Sequence, residues 1–305
     1  MTDTLRTLVF ETASARAQLV SLNDSWTAIA ANHHYPSAVL EMLGQLVAAS
    51  AVLSASLKFE GSLILQIQGD GPVKLVVAEC NSRLGLRATV KIAEGTEIDR
   101  KATFADLVNQ QGKGICVIVL DPRNRLPGQS PYQGVVPLVG SSVSDALEAY
   151  MHSSEQLETR LVLNADAQRA SGLMLQQMPT TGGKSVEAQF DPDGWPRLVA
   201  LANTLQADEH LSTAVDDLAT RLFWEENPAV LADRHPHFEC SCSAEKVQSM
   251  LVTLGEAEVR DALTENPTLE VQCDFCGKNY SFDQAACLAL FKNDESGDEN
   301  KPTLH

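Results

Sequence analysis

The residues best placed to do chemistry are four cysteines near the end of the chain. Cys240-Ser241-Cys242 is followed, after thirty residues, by Cys273-Asp274-Phe275-Cys276. Four thiolates in two tight pairs complete the tetrahedral shell of one metal ion, and zinc is the usual occupant. Such a site keeps no open position, so it is structural rather than catalytic. The same spacing also admits two short disulfides. Peroxide or hypochlorous acid converts a thiolate to sulfenic acid, which condenses with a neighbouring thiol. The nearest neighbour of each cysteine is its pair mate. Disulfides within the pairs would close only tiny loops and stabilise little. A permanent metal knot, a pair of disulfides and a redox switch between the two all remain open at this point.

Other candidate ligands and nucleophiles are weaker. His235 and His237 lie just upstream and could ligate a metal, although four thiols already suffice. Cys80 and Cys116 fall in or at the end of apolar runs, and Cys287 falls on a predicted helix, so all three read as packing residues. Gly112-Lys113-Gly114 lacks the rest of a phosphate loop. His152-Ser153-Ser154 has no triad spacing, and no paired carboxylates or nucleophile elbow stand out. No enzymatic activity is expected.

Charge narrows the partners. The net charge is −17, and residues 180–237 and 238–291 each contribute −6, against −3 over residues 1–179. A nucleic-acid-binding zinc module needs a basic stripe to neutralise phosphates, and this one is acidic. The first ten residues show no basic-then-apolar signal segment, and no apolar run is recognisable as approaching the roughly 20 residues of a membrane span. A soluble cytoplasmic chain with no membrane or nucleic-acid partner is expected, in a compartment that keeps thiols reduced.

The elements that must carry the cysteines form an α+β chain: an N-terminal mixed sheet-and-helix domain (1–179), an acidic helical linker (180–237), a small four-cysteine zinc module (238–291) and a polar acidic tail (292–305). Residues 62–68 alternate, with Leu63, Leu65 and Ile67 on one face, and Gly69-Asp70-Gly71-Pro72 turns the chain into a returning strand over 73–78. Further strands are predicted over 84–92, 114–120, 134–139, 161–164 and 173–177, with a loop over 121–128. An apolar helix runs from about Pro36 to Leu57. Another follows Ser142, with Asp145 as a loose capping-box partner and Val143, Leu147, Tyr150 and Met151 as its buried stripe. Thr180-Thr181-Gly182-Gly183-Lys184 marks a boundary, and residues 191–196 form a turn-rich stretch. Leu211, Val215, Leu218 and Leu222 then make the apolar stripe of one helix that ends before Pro228; Asp208, Glu209, Asp216 and Asp217 occupy its other face. Such a helix is marginal unless its stripe finds a surface. The module carries a predicted helix over 244–254, an acidic stretch over 256–265, and strand-like residues around 269–272 and 280–282. At under sixty residues it needs a staple.

With these residues in hand, the chain resembles the redox-regulated 33 kDa heat-shock protein family of bacterial holdase chaperones, from about residue 5 to 291. The most specific matches are Cys240-Ser241-Cys242-Ser243 and Cys273-Asp274-Phe275-Cys276-Gly277-Lys278-Asn279-Tyr280-Ser281-Phe282-Asp283. Gly69-Asp70-Gly71-Pro72, Tyr132-Gln133-Gly134-Val135-Val136, Ser154-Glu155-Gln156, Gly172-Leu173-Met174-Leu175-Gln176 and Arg221-Leu222-Phe223-Trp224-Glu225-Glu226 support them. Ala244 stands where the family often has a basic residue, and Glu158 where a proline is common. The resemblance implies an inactive reduced state with one Zn2+ on Cys240, Cys242, Cys273 and Cys276. It implies activation by oxidation, with Cys240–Cys242 and Cys273–Cys276 disulfides, zinc release and unfolding of the 180–237 linker. The oxidised form would hold unfolding client proteins without ATP, as a homodimer. A zinc-stabilised adaptor whose metal never leaves is the alternative.

Overall fold

The structure, a computed structural model, describes residues 2–125, 128, 130–179 and 191–291. The expected boundary at 180–184 and the expected tail at 292–305 lie outside the described residues. The chain divides into two compact units, residues 1–239 and the residues from Cys240 onward. The first unit contains, in order, β1 (Thr4–Phe10), β2 (Ala15–Leu22), α1 (Asp24–Ala30), α2 (Ser37–Ser56), β3 (Gly61–Gln68), β4 (Val73–Asn81), β5 (Gly85–Ile92), α3 (Phe104–Val108), β6 (Ile115–Pro122), β7 (Tyr132–Pro137), α4 (Val143–Tyr150), β8 (Thr159–Ala165), β9 (Ala170–Gln177), α5 (Gly194–Asn203), α6 (Ala207–Ser212), α7 (Val215–Phe223), β10 (Ala229–Arg234) and β11 (His237–Phe238). The second contains α8 (Ala244–Leu254), α9 (Glu256–Glu265), β12 (Thr268–Gln272), β13 (Asn279–Asp283) and α10 (Gln284–Ala289).

Two sheets make the first unit. One has the antiparallel order β10-β1-β2-β9-β8. The other has the order β11-β5-β4-β3-β6-β7, antiparallel except for β11 beside β5. Helix α2 packs against β2, β8 and β9 of the first sheet and β3, β4 and β5 of the second. A helix covered on both sides must be apolar all round, and 14 of the 20 residues of α2 are buried. Gly44 permits the close approach, since a Cβ there would lie 2.5 Å from the Ala165 Cβ. The expectation that no apolar run approaches the length of a membrane span does not hold. Ser37–Ser56 is long and apolar enough by length and composition to cross a membrane, with a mean hydropathy of 1.6, although 78% of the window is buried in the core. Its composition answers to two sheets.

The outer face of the five-stranded sheet is apolar too. Leu8, Phe10, Ala15, Ala17, Leu19, Leu173 and Leu175 form a second core with Leu198 and Ala202 of α5, Leu205, and Val215, Leu218, Leu222 and Phe223 of α7. Phe10 and Phe223 meet edge to face, with ring centroids 5.2 Å apart. The short side chains of Ala15 and Ala17 leave room for the helices. Covered on both faces, β2 buries seven of its eight residues, as a strand must when neither face meets water.

The connector differs from the single helix expected. Thr213 and Ala214 are extended and split it into α6 and α7. Val215, Leu218 and Leu222 still face the sheet, whereas Leu211 is half-buried. The stretch read as turns opens α5 instead; Pro196 falls in its first turn, where a missing N–H costs nothing. Beyond the helices, β10 joins the edge of the first sheet and β11 the edge of the second, neither of which was anticipated. The described part of the connector therefore packs within the first unit. At α4 the Ser142 Oγ accepts from the Asp145 amide at 3.1 Å, but the Asp145 carboxylate turns to the Ser141 amide at 2.8 Å rather than closing a box on Ser142.

Candidate metal centre

The second unit is built to present its cysteines. The first pair sits immediately before α8, whose start is fixed by the Ser243 Oγ accepting from the Lys246 amide at 3.3 Å. Gly255, at φ +100°, ends α8 and begins α9, a conformation that only glycine adopts without strain. The second pair occupies the turn of the β12–β13 hairpin, which pairs Thr268 with Asp283 and Gln272 with Asn279. In that turn the Gly277 amide donates to the Cys273 carbonyl and the Cys273 amide to the Lys278 carbonyl, each at 2.9 Å. Gly277 takes a φ of +67°, so the chain curls and aims both sulfurs the same way. Asp283 caps α10, accepting from the Ala286 amide at 2.7 Å. The core beneath is small: Leu251, Val259, Leu263, Tyr280, Phe282 and Cys287 are its buried members.

These elements bring all four sulfurs within 4.8 Å of one another. Cys240 Sγ lies 3.7 Å from Cys273 Sγ, and Cys242 Sγ 3.4 Å from Cys276 Sγ. A tetrahedral metal bonded to sulfur at ~2.3 Å sets its ligands about 3.8 Å apart. All seven cysteines are free thiols. Both of these contacts run between the two pairs, as expected of ligands gathered round one point.

The environment of the sulfurs is uneven. Burial raises the Cys242 pKa, but the Tyr280 hydroxyl, donating at 3.1 Å, and the neighbouring thiols outweigh it and bring Cys242 down to about 7. Burial and the surrounding thiols hold Cys276 up at about 12, and burial also raises Cys240. Four crowded thiols resist ionising together, and a bound cation is what inverts that preference. Lys246 Nζ donates to the Ser241 carbonyl at 2.6 Å, and Lys278 Nζ stands 5.1 Å from the centre of the Tyr280 ring. Positive charge therefore flanks the cluster even though Ala244 does not supply it.

Among the described residues the cluster consists of the four thiols alone. His235 and His237 do not join it: His235 Nδ1 contacts the Asp3 carbonyl at 3.1 Å, and His237 Nε2 approaches Glu239 at 3.5 Å, all inside the first unit. Cys80 and Cys116 are buried in β4 and β6, and burial pushes both thiols up to about 12. Cys287 is buried in the small core. The sequence reading missed the Tyr280 hydroxyl as a partner of the cluster. The only signal was an aromatic alternating with Phe282 on the strand after the second pair.

A model of the Hsp33 protein family matches residues 3–283. The 33 kDa chaperonin of Methylobacillus flagellatus is 41% identical over 292 residues, covering 95% of each chain. That of Chromobacterium violaceum is also 41% identical over 292 residues, covering 96% of this chain and 95% of its own. In fold, the chain is similar to the crystal structure of the 33 kDa chaperonin from Thermotoga maritima, with a TM-score of 0.79 at 19% identity, covering 97% of this chain and 99% of that one. The family match and the two relatives extend along nearly the whole chain, and so this chain belongs to the Hsp33 family of redox-regulated, ATP-independent holdase chaperones, which are not enzymes.

Proposed function

We propose that the reduced chain is held inactive by one Zn2+ on Cys240, Cys242, Cys273 and Cys276, and that its client-holding surface is the outer face of the five-stranded sheet beneath α5–α7. The observation that carries this reading is that cover: short helices, of which α6 and α7 are acidic, laid over a contiguous apolar sheet face. When bound, zinc supplies the cross-link that a six-residue core lacks, and in metal-folded modules the roughly 10–16 kcal/mol of binding is folding free energy. Lys246 and Lys278 favour thiolate sulfur, and the Tyr280 hydroxyl orients Cys242.

Oxidation of each pair by peroxide balances as two thiols giving two electrons and two protons. One S–S bond forms, the peroxide O–O bond breaks, and two waters leave. Cys240–Cys242 and Cys273–Cys276 disulfides offer no anionic sulfur to a metal, and their loops are too short to replace the staple. Residues 238–291 then lose their fold, and the 180–237 linker is released. Glu239, which precedes the first cysteine, is held by Asn81 at 2.7 Å and Arg83 at 3.0 Å, so this tether must give way as well. The uncovered face binds unfolding proteins, as large apolar patches do, and serves a homodimer. The chain works in the cytoplasm, where thiols start out reduced, and takes no nucleic acid or membrane as partner.

The test is suppression of aggregation of a thermally unfolding client by the reduced protein and by the peroxide-treated protein, with zinc and free thiols counted in both. Holding is expected only after two disulfides form and one zinc is lost. Equal holding in both states, or zinc retained under peroxide with mild heat, would instead favour an adaptor with a permanent metal site.

A further inference from the structure

His210, on α6, is 2% exposed. Its Nδ1 faces the Asn164 amide nitrogen of β8 at 2.9 Å. As the amide is placed, Nδ1 accepts, so the ring proton sits on Nε2, and Nε2 is buried without a hydrogen-bond partner among the described residues. A second proton would therefore meet an amide donor at one nitrogen and leave the other N–H unpaired, in a site that burial already makes hostile to charge.

The charged groups on the surrounding elements offer no relief. Arg160 of β8 is bonded to Glu148 and Asn203, and β9 carries no titratable side chain. In the β8–β9 turn, Asp166 accepts from the amides of Gln168 and Arg169, while the Arg169 guanidinium donates to the Leu211 carbonyl at the end of α6. Arg221 of α7 pairs with Glu209 of α6, Asp216 pairs with Arg6, and Asp208 and Asp217 are exposed. Arg197 of α5 pairs with Asp191 and Glu226. Helix α6 has six residues, too few to persist undocked.

We propose that acid is a second activating input: protonation of His210 undocks α6 from the five-stranded sheet and opens the client-holding face without any cysteine being oxidised. The proposal rests on the reading that the face under the connector holds clients. Its direction follows from linkage. Burial pushes the docked ring down to about 4 from its ordinary 6.5. Below pH 6.5 the undocked state gains a proton that the docked state refuses, so docking weakens as pH falls and the effect levels off near pH 4. At pH 5.5 the docking constant falls about tenfold.

The test uses the full-length, reduced, zinc-loaded protein in the presence of a phosphine reductant, at pH 7.5 and 5.5. Hydrogen exchange of the amides of residues 207–213, corrected for intrinsic rates, is measured beside client aggregation and zinc content. Wild-type protein is expected to open these amides about tenfold more at pH 5.5 and to begin holding clients with zinc retained. His210→Leu is expected to lose both responses while remaining activatable by peroxide at pH 7.5. Asn164→Asp keeps His210 but gives the charged ring a carboxylate, and should also abolish the acid response. Unchanged wild-type amides, or a His210→Leu response equal to wild type, overturn the acid input alone. Amide opening at pH 5.5 without client holding overturns the proposal through the reading it rests on. Zinc loss that tracks holding in both proteins overturns it in favour of the cysteine cluster.

Discussion

At the scale of single residues, the seven cysteines divide by environment. Cys80 and Cys116 are deep in the first unit, with burial holding both thiols near 12. Cys287 is equally buried, but in the small core whose fold the metal would secure. Reactivity requires both thiolate and access, so Cys287 becomes a reporter of that fold. Alkylation of the reduced protein at pH 7.5 is expected to spare all three while zinc is bound. A strong chelator should make Cys287 reactive along with the four clustered cysteines, leaving Cys80 and Cys116 protected until denaturant is added; peptide mass spectrometry reads the pattern. Modification of Cys116 on chelation alone would mean that the first unit also depends on the metal. Replacing one ligand is the harsher version. Cys273→Ser should weaken zinc binding by more than about 100-fold and leave the second unit protease-sensitive, checked by competition with a chromogenic chelator. That the four cysteines gather into one cluster was legible from spacing, because two close pairs need only be brought together once. The Tyr280 hydroxyl on Cys242 was not, because it depends on the hairpin register that pairs Val271 with Tyr280. Nor was the environment of His210, which Asn164 defines from forty-six residues away.

At the scale of elements, strands and helices with strong local patterns were legible: the alternation in β3, the apolar length of α2, and α8, which spans Ala244–Leu254. The connector was not, and the reason is physical. The four-three-four spacing of Leu211, Val215, Leu218 and Leu222 fits one continuous helix, but the sheet beneath is met by two short helices with an extended joint at Thr213 and Ala214. Packing of α6 on β8 and β9 and of α7 on β1 and β2 outweighs the marginal gain of continuing a helix. Phe223, at the end of α7, is fully buried against Phe10. Truncating such a ring typically costs about 3–5 kcal/mol. Phe223→Ala is therefore expected to free the connector and give client holding by the reduced protein, with zinc still bound and all thiols free. Aggregation assays under reductant, with zinc counted in parallel, check it. A reduced Phe223→Ala protein that suppresses no more aggregation than wild type would show that α7 does not cover the holding surface.

At the scale of the whole molecule, the layering could not be read from the chain, because it depends on strand order: β10 returns to β1 across more than two hundred residues, and β11 finds β5 in parallel. What the order produces is a strong contrast between the two units. The first has an extensive core around α2 and a second under the connector, while among the described residues the second unit rests on six buried hydrophobic side chains. A core of that size does not offset the conformational entropy of more than fifty residues unaided. The large unit should therefore melt independently of the metal and the small one should not. In calorimetry of the reduced protein, zinc-loaded and then chelated, the transition of the first unit is expected to stay where it is. The transition of the second should drop below room temperature, because the lost binding energy is its folding energy. Hydrogen exchange assigns each transition, with protection vanishing over 244–289 and persisting in β2 and β9. The acidic surface, net −17 over the chain, keeps the half-unfolded protein soluble through self-repulsion, so the experiment belongs at low ionic strength. A second unit that keeps its protection in chelator would mean that its fold does not need the metal, and that losing zinc is not what opens the protein.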